Sequence, residues 1–238
     1  MTRLSNVSYQ KNGRDILTGI SLELTEPRIG VVGRNGSGKT TLARLIAGLV
    51  APTRGEIRVL GIDVARDRAR AIGVVGILFQ NPDHQIIFPT VEEEISFGLS
   101  QLGADKRAAR QGAHRVLARF GKDSWAERSI HTLSQGQRHL VCLMSVLAME
   151  PRLIVLDEPF AGLDIPTARA LNRYLDGLGQ QLLHITHETA TLEQYDRVLW
   201  IDDGKLRLDG SAEFVLTAFH SAMNETAEEN NDLADFAR

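Results

Sequence analysis

The stretch Ile29-Gly30-Val31-Val32-Gly33-Arg34-Asn35-Gly36-Ser37-Gly38-Lys39-Thr40 decides the fold. Its first four residues form an apolar run too short for a helix, which reads as a buried parallel strand. Residues 33–40 then satisfy G-x-x-x-x-G-K-[ST] in full. From Thr40 to Ala47 an Ala/Leu-rich helix follows, closed by Gly48 and then Pro52. Gly33, Gly36 and Gly38 let backbone N–H groups turn inward around a phosphate, in a loop completed by Arg34, Asn35 and Ser37. The helix N-terminus adds partial positive charge at the same place. Lys39 is placed to reach β- and γ-phosphates, the Thr40 hydroxyl to ligate Mg²⁺, and Thr41 to donate to an α-phosphate.

A second apolar run, Leu153-Ile154-Val155-Leu156, ends in Asp157-Glu158-Pro159. Ligands collect at the C-terminal ends of strands in doubly wound sheets. Asp157 there suits Mg²⁺, directly or through water, and Glu158 suits proton abstraction from an attacking water. A solvated strand end before a turn is the plainer reading of Asp-Glu-Pro; the phosphate loop tips the balance toward function. Gln80 ends a third short strand, Val74 to Phe79, and presents an amide to Mg²⁺ or water. His187 follows the strand Leu182–Thr186 and is placed to reach a γ-phosphate or the attacking water. His184, within that strand, reads as a packed histidine. Leu133-Ser134-Gln135-Gly136-Gln137 precedes a long helix, about residues 136–149. Ser134 is either a plain N-cap or, with Gly136 and the free N–H groups, a second phosphate cradle. One nucleotide needs one cradle, so a second suggests a nucleotide shared between two chains.

Around this centre the chain alternates strands and helices, which argues for a mostly parallel α/β sheet. The first thirty residues alternate like antiparallel strands, with a turn signal at Asn12-Gly13. From about Asp83 to Lys122 the texture turns helical, with Val116, Leu117 and Phe120 on one side of KRAARQGAHRVLARF. Asp203-Gly204 turns a last hairpin, and Ser211 caps a helix from 212 to about 220. Residues 221–238 carry five acids and one base and are expected to be mobile. With 27 Lys+Arg against 30 Asp+Glu the net charge is −3, so no basic field exists to hold nucleic acid by charge alone. The single cysteine, Cys142, cannot pair internally and reads as a small buried hydrophobe. No run of about 18 apolar residues occurs, and the N-terminus lacks a secretory pattern. The expectation is a cytosolic protein whose membrane role runs through a partner.

These pieces in this order resemble the ATP-binding-cassette (ABC) ATPases. GRNGSGKT looks like their Walker A, Gln80 their Q-loop, LSQGQ their signature motif, LIVLDEP their Walker B, AGLD (161–164) their D-loop and His187 their switch histidine. Tyr9 lies where that family stacks an aromatic on adenine. Gln135 departs from the family's usual Gly, and the segment Thr25-Glu26-Pro27-Arg28 is abbreviated. The resemblance implies a P-loop NTPase-type fold: a mostly parallel sheet, an N-terminal antiparallel β subdomain, and a helical subdomain inserted at about 83–150 of one domain, 1–220. It implies ATP and Mg²⁺ as ligands, hydrolysis with Glu158 as base, and a homodimer. ATP would lie between the phosphate loop of one protomer and Ser134, Gly136 and Gln137 of the other.

Phe79-Gln80-Asn81-Pro82-Asp83-His84-Gln85, continuing through Glu92-Glu93-Glu94 to Gly98, is similar to the corresponding stretch in energy-coupling-factor (ECF) transporter ATPases. In that family it meets Arg-bearing helices of a transmembrane subunit, which makes Asp83 and Glu92–Glu94 candidate partners for arginines; a solvated, dipole-favoured helix start is the plainer reading of the three glutamates. The implied partners are a transmembrane coupling subunit and a membrane substrate-binding subunit, with the chain peripheral on the cytoplasmic face of the cell membrane. The short length is similar to that of the compact biotin-uptake ATPases. A conventional ABC transporter, a cobalt or nickel importer, a soluble ABC mechanoenzyme and a nucleotide-gated module without turnover are the alternatives.

Overall fold

The computed structural model describes residues 1–160 and 162–229. The chain opens with a hairpin, β1 (Thr2–Lys11) and β2 (Arg14–Leu24). Its two-residue loop needs positive φ at both positions, and Asn12 and Gly13 supply 53° and 76°. Three elements of the phosphate region follow: β3 (Arg28–Val32), α1 (Lys39–Ile46) and β4 (Arg54–Val59). Then come β5 (Ile62–Asp63), the single-turn α2 (Arg68–Ala71) and β6 (Val75–Leu78). Three helices fill the middle of the chain: α3 (Val91–Gln101), α4 (Lys106–Arg119) and α5 (Gln135–Ala148). The remainder is β7 (Leu153–Asp157), α6 (Ile165–Asp176), β8 (Gln181–Ile185), β9 (Arg197–Asp202), β10 (Lys205–Gly210) and α7 (Ala212–Glu229).

Two sheets result. The antiparallel one runs β2-β1-β4-β5; the other runs β10-β9-β3-β8-β7-β6, parallel except for the edge hairpin strand β10. Helix α1 touches β2 and β4 of the first sheet and β7 and β8 of the second. Leu42, Leu45 and Ile46 of α1 are fully buried in the core cluster that joins both sheets. That packing clamps the start of α1, and hence the phosphate loop, against the parallel sheet. Helix α5 serves two cores. Cys142, Leu143 and Val146 pack with β6, β7 and α6, while Val141 and Met144 pack with Val91, Ile95 and Leu117 of α3 and α4.

One boundary differs from the sequence expectation. Helix α7 continues nine residues beyond 220, to Glu229. Val215, Leu216, Phe219, Ala222 and Met223 repeat at helical spacing and pack on the cluster around Trp200, so apolar burial carries the helix into the acidic segment. Residues 230–238 of the expected tail lie outside the described residues. Among the described residues no helix is long and apolar enough to cross a membrane.

Candidate functional site

Four neighbouring strands of the parallel sheet end in chemistry. β3 runs into the phosphate loop, β8 leads to His187, β7 ends at Asp157 and Glu158, and β6 leads to Gln80. Their ends enclose a cleft of about 470 Å³ lined by Asn35, Gly36, Gly38, Lys39, Thr40, Thr41, Gln80, Asp157, Glu158 and His187, together with Ile16 and Ile185. Ile16 and Ile185 carry no polar signature, and sequence reasoning missed them. Ile16 follows the hairpin turn by a few residues, and only tertiary packing brings it to the loop.

The loop is held open by its own backbone. Gly33 and Gly38 have φ of 155° and 106°, and a Cβ on Gly33 would fall 2.1 Å from the Ile201 carbonyl. Lys39 is 8% exposed, and its Nζ donates to the carbonyls of Gly33 (2.7 Å) and Arg34 (2.8 Å). Burial lowers the Lys39 pKa, opposed by the charges of Glu158 and Asp157. Ser37 Oγ is buried without a hydrogen-bond partner. A buried ammonium and an unpartnered hydroxyl in a Gly-rich loop at the N-terminus of α1 suit an anion.

Thr40 Oγ1 donates to Asp157 Oδ1 at 3.2 Å. Burial raises the Asp157 pKa, and the Thr40 bond, Arg44 and Lys39 oppose that rise while Glu158 adds to it. Among the described residues no group of three or more His, Cys, Asp or Glu is arranged to hold a metal. The Thr40–Asp157 oxygen pair nevertheless fits Mg²⁺, which binds through one or two protein oxygens, substrate phosphates and waters. Glu158 sits at φ 51°, an unusual backbone for a non-glycine residue, and its N–H donates to the Ile185 carbonyl at 2.9 Å. This bend leaves Glu158 Oε2 at 2.9 Å from His187 Nδ1.

The other sequence candidates lie elsewhere. Gly33, Arg34 and Ser37 shape the loop without lining the cleft. Tyr9 is half-buried in β1 opposite Leu17, packed on the central core. Ser134, Gly136 and Gln137 open α5 outside the cleft. There Ser134 Oγ accepts from Gln137 N (3.3 Å) and Gln137 Oε1 accepts from Ser134 N (3.0 Å), a reciprocal cap. Within one chain, then, Ser134 acts as an N-cap. Of the 161–164 segment, Ala161 lies outside the described residues, and Asp164 caps α6 through Thr167 N at 2.8 Å. His184 is packed, as expected: wholly buried, its Nδ1 2.9 Å from Tyr195 Oη, its pKa pushed down to about 3 by burial. Cys142 is buried, which raises its thiol pKa.

The glutamate run needs correction. Glu92 and Glu94 do not face outward as partners for foreign arginines. Glu92 binds Arg110 (Oε1–Nε 2.6 Å) and His114 (Oε2–Nε2 2.8 Å) across α3 and α4. Glu94 Oε2 accepts the N–H groups of Ile87 and Phe88, both at 2.9 Å. Each is taken up by groups of its own subdomain. Glu93 alone is exposed, and its carboxylate meets the N-cap Thr90 hydroxyl at 2.6 Å.

Residues 17–161 match the family model described as ABC transporter. The chain is 50% identical over 224 residues to the biotin transport ATP-binding protein BioM of Rhodobacter capsulatus, covering 94% of this chain and 96% of that protein. It is 37% identical over 225 residues to the energy-coupling factor transporter ATP-binding protein EcfA of Methanosarcina acetivorans, covering 91% and 82%. The solved structure of cbiO1 from Clostridium perfringens, part of the ABC transporter complex cbiONQ, superposes with a TM-score of 0.76 at 26% identity, covering 97% of this chain and 94% of that one.

Proposed function

The chain belongs to the ABC transporter family, and from that membership we propose that it is the ATP-hydrolysing subunit of an energy-coupling-factor importer whose cargo is biotin. The cargo is supported by near end-to-end similarity to the Rhodobacter protein, against 82% coverage of the Methanosarcina one. One observation carries the mechanism. Phosphate loop, Thr40–Asp157 pair and Glu158–His187 pair converge on one cleft, whereas the start of α5 stands outside it.

Lys39 and the loop N–H groups bind and orient the phosphates. Thr40 and Asp157, with Gln80, would hold Mg²⁺, which when bound would supply positive charge to the phosphoryl oxygens. Glu158 takes the proton from the attacking water. His187 keeps that carboxylate aimed by its 2.9 Å contact and so links the β8 end to the γ-phosphate. Catalysis is positioning plus charge stabilisation. Ser134, Gly136 and Gln137 meet the nucleotide of a second protomer, their backbone N–H groups supplying the missing wall. Tyr9 sits at the adenine side.

The chain is peripheral on the cytoplasmic face of the membrane and pairs with a transmembrane coupling subunit and a membrane substrate-binding subunit. A groove of about 710 Å³ beside α3, with Phe88 and Phe97 at 5.0 Å between ring centroids, supports docking there. Glu93 and Glu127 are exposed carboxylates of its lining, open to a partner's arginine.

Two measurements test this. Purified chain with Mg-ATP releases phosphate; absence of release removes the enzymatic reading. Cells lacking the chain regain uptake of labelled biotin when given the wild-type form but not Glu158→Gln; restored uptake of another solute in place of biotin reassigns the cargo.

A further inference from the structure

Gln80 lines the nucleotide cleft, yet the segment after it is fastened to a different part of the molecule. Residues 79–85 close on themselves: Gln85 Oε1 accepts from Phe79 N (3.2 Å) and Asn81 Oδ1 from Asp83 N (2.9 Å). Pro82 is buried, with its carbonyl 4.0 Å from Cys142 Sγ of α5. Asp83 Oδ1 lies 3.1 Å from Arg138 Nε, also of α5. The same guanidinium donates through Nη1 to the Leu133 carbonyl at 3.0 Å. Leu133 immediately precedes Ser134, the residue that opens α5. One side chain therefore ties the segment following Gln80 to the residue preceding Ser134. Gln80 and Asn81, between the cleft and this tie, are both exposed.

The Arg138 side chain is 25% exposed and that of Asp83 61%. A pair this open contributes little to stability, so its value lies in geometry. The Nε–Oδ1 contact is an ion pair without hydrogen-bond geometry, so charge attraction draws the Asp83 carboxylate to a guanidinium that Nη1 anchors on the Leu133 carbonyl. Neither Asp83 nor Arg138 lines the cleft.

We propose that Arg138 and Asp83 are positioning residues: their ion pair, bridged to Leu133, makes the Gln80 segment and the opening of α5 one lever that sets the angle at which Ser134 and Gly136 meet the partner protomer's nucleotide. This rests on the shared-nucleotide reading above.

The test uses the full chain carrying Glu158→Gln, so that ATP is held. Dimerisation is followed by sedimentation across an ATP titration, and affinity of the single chain by a fluorescent ADP analogue. Asp83→Asn and Arg138→Gln should each weaken ATP-driven dimerisation by about two- to fivefold, the range an ion pair of this exposure allows, with ADP affinity unchanged. Asp83→Glu should restore dimerisation. The double variant should lose no more than the worse single one, because both cut the same link. Unchanged dimerisation in the single variants, additive losses in the double, or ADP affinity falling in parallel would each overturn the lever. Failure of the Glu158→Gln parent to dimerise with ATP would instead sink the shared-nucleotide reading, and the lever with it.

Discussion

Replacing Lys39 by alanine removes the one buried ammonium of the cleft, and the structure sets the size of the effect. Lys39 is already dehydrated at 8% exposure, so nucleotide binding adds little desolvation cost. A unit charge about 4 Å from a phosphate oxygen gains roughly 4 kcal/mol at an effective dielectric constant of about 20. Against this, Nζ gives up its bonds to Gly33 and Arg34, an offset of about 1–2 kcal/mol. The balance is about 2–3 kcal/mol, or a loss of roughly 30- to 150-fold in ATP affinity. Isothermal titration of Lys39→Ala with ATP measures it directly. Folding should survive, since burial disfavours the charged amine and both carbonyls sit on a loop with exposed members. A thermal midpoint near that of the wild type checks this. An affinity loss below about fivefold in a folded variant would refute the assignment of Lys39 to the phosphates.

Glu158→Gln should keep ATP affinity but lower turnover by about 10²- to 10⁴-fold, the usual contribution of a general base; phosphate-release kinetics decide it. Gly76→Ala would put a methyl 2.5 Å from Val146 Cγ1 and 3.0 Å from Pro151 Cγ. Overpacking of that kind costs about 1–3 kcal/mol, read as a fall of several degrees in the thermal midpoint. Glu92 gives a pH prediction. Burial alone would raise its pKa, but the bonds to Arg110 and His114 outweigh it and leave the pKa below the ordinary value of 4.5. Its stabilisation is therefore complete above pH 4.5 and lost as pH falls through the lowered pKa. Glu92→Gln should flatten that acid limb in denaturant titrations, and an unchanged limb would show that the pair does not stabilise the fold.

Much of the site was legible because its chemistry is local. A Gly-rich loop between an apolar run and a helix, or two acids ending an apolar run, leave contiguous signals, and the cleft contains both. Asn12-Gly13 was equally plain, since a two-residue hairpin admits few residue types. What sequence could not show depends on distant partners. Ile16 reaches the cleft only because α1 is pressed between two sheets. The outward reading failed for Glu92 because Arg110 and His114 lie 18 and 22 residues beyond it, too far for pattern to connect them. Composition alone made residues after 220 look unstructured, whereas the spacing of Phe219, Ala222 and Met223 against Trp200 continues the helix. Ser134 carried two readings, and a single chain realises only the capping one.

The order β3-β8-β7-β6 has a metric consequence. Neighbouring strands lie about 4.8 Å apart, so phosphate loop, His187, Asp157-Glu158 and Gln80 stand on a ruler whose ends are about 14 Å distant. Its graduations are set by backbone hydrogen bonding and not by side-chain choice. Substitutions can alter what stands at each mark but cannot respace the marks, which leaves divergence among such engines to the loops, the helices and the surfaces they carry.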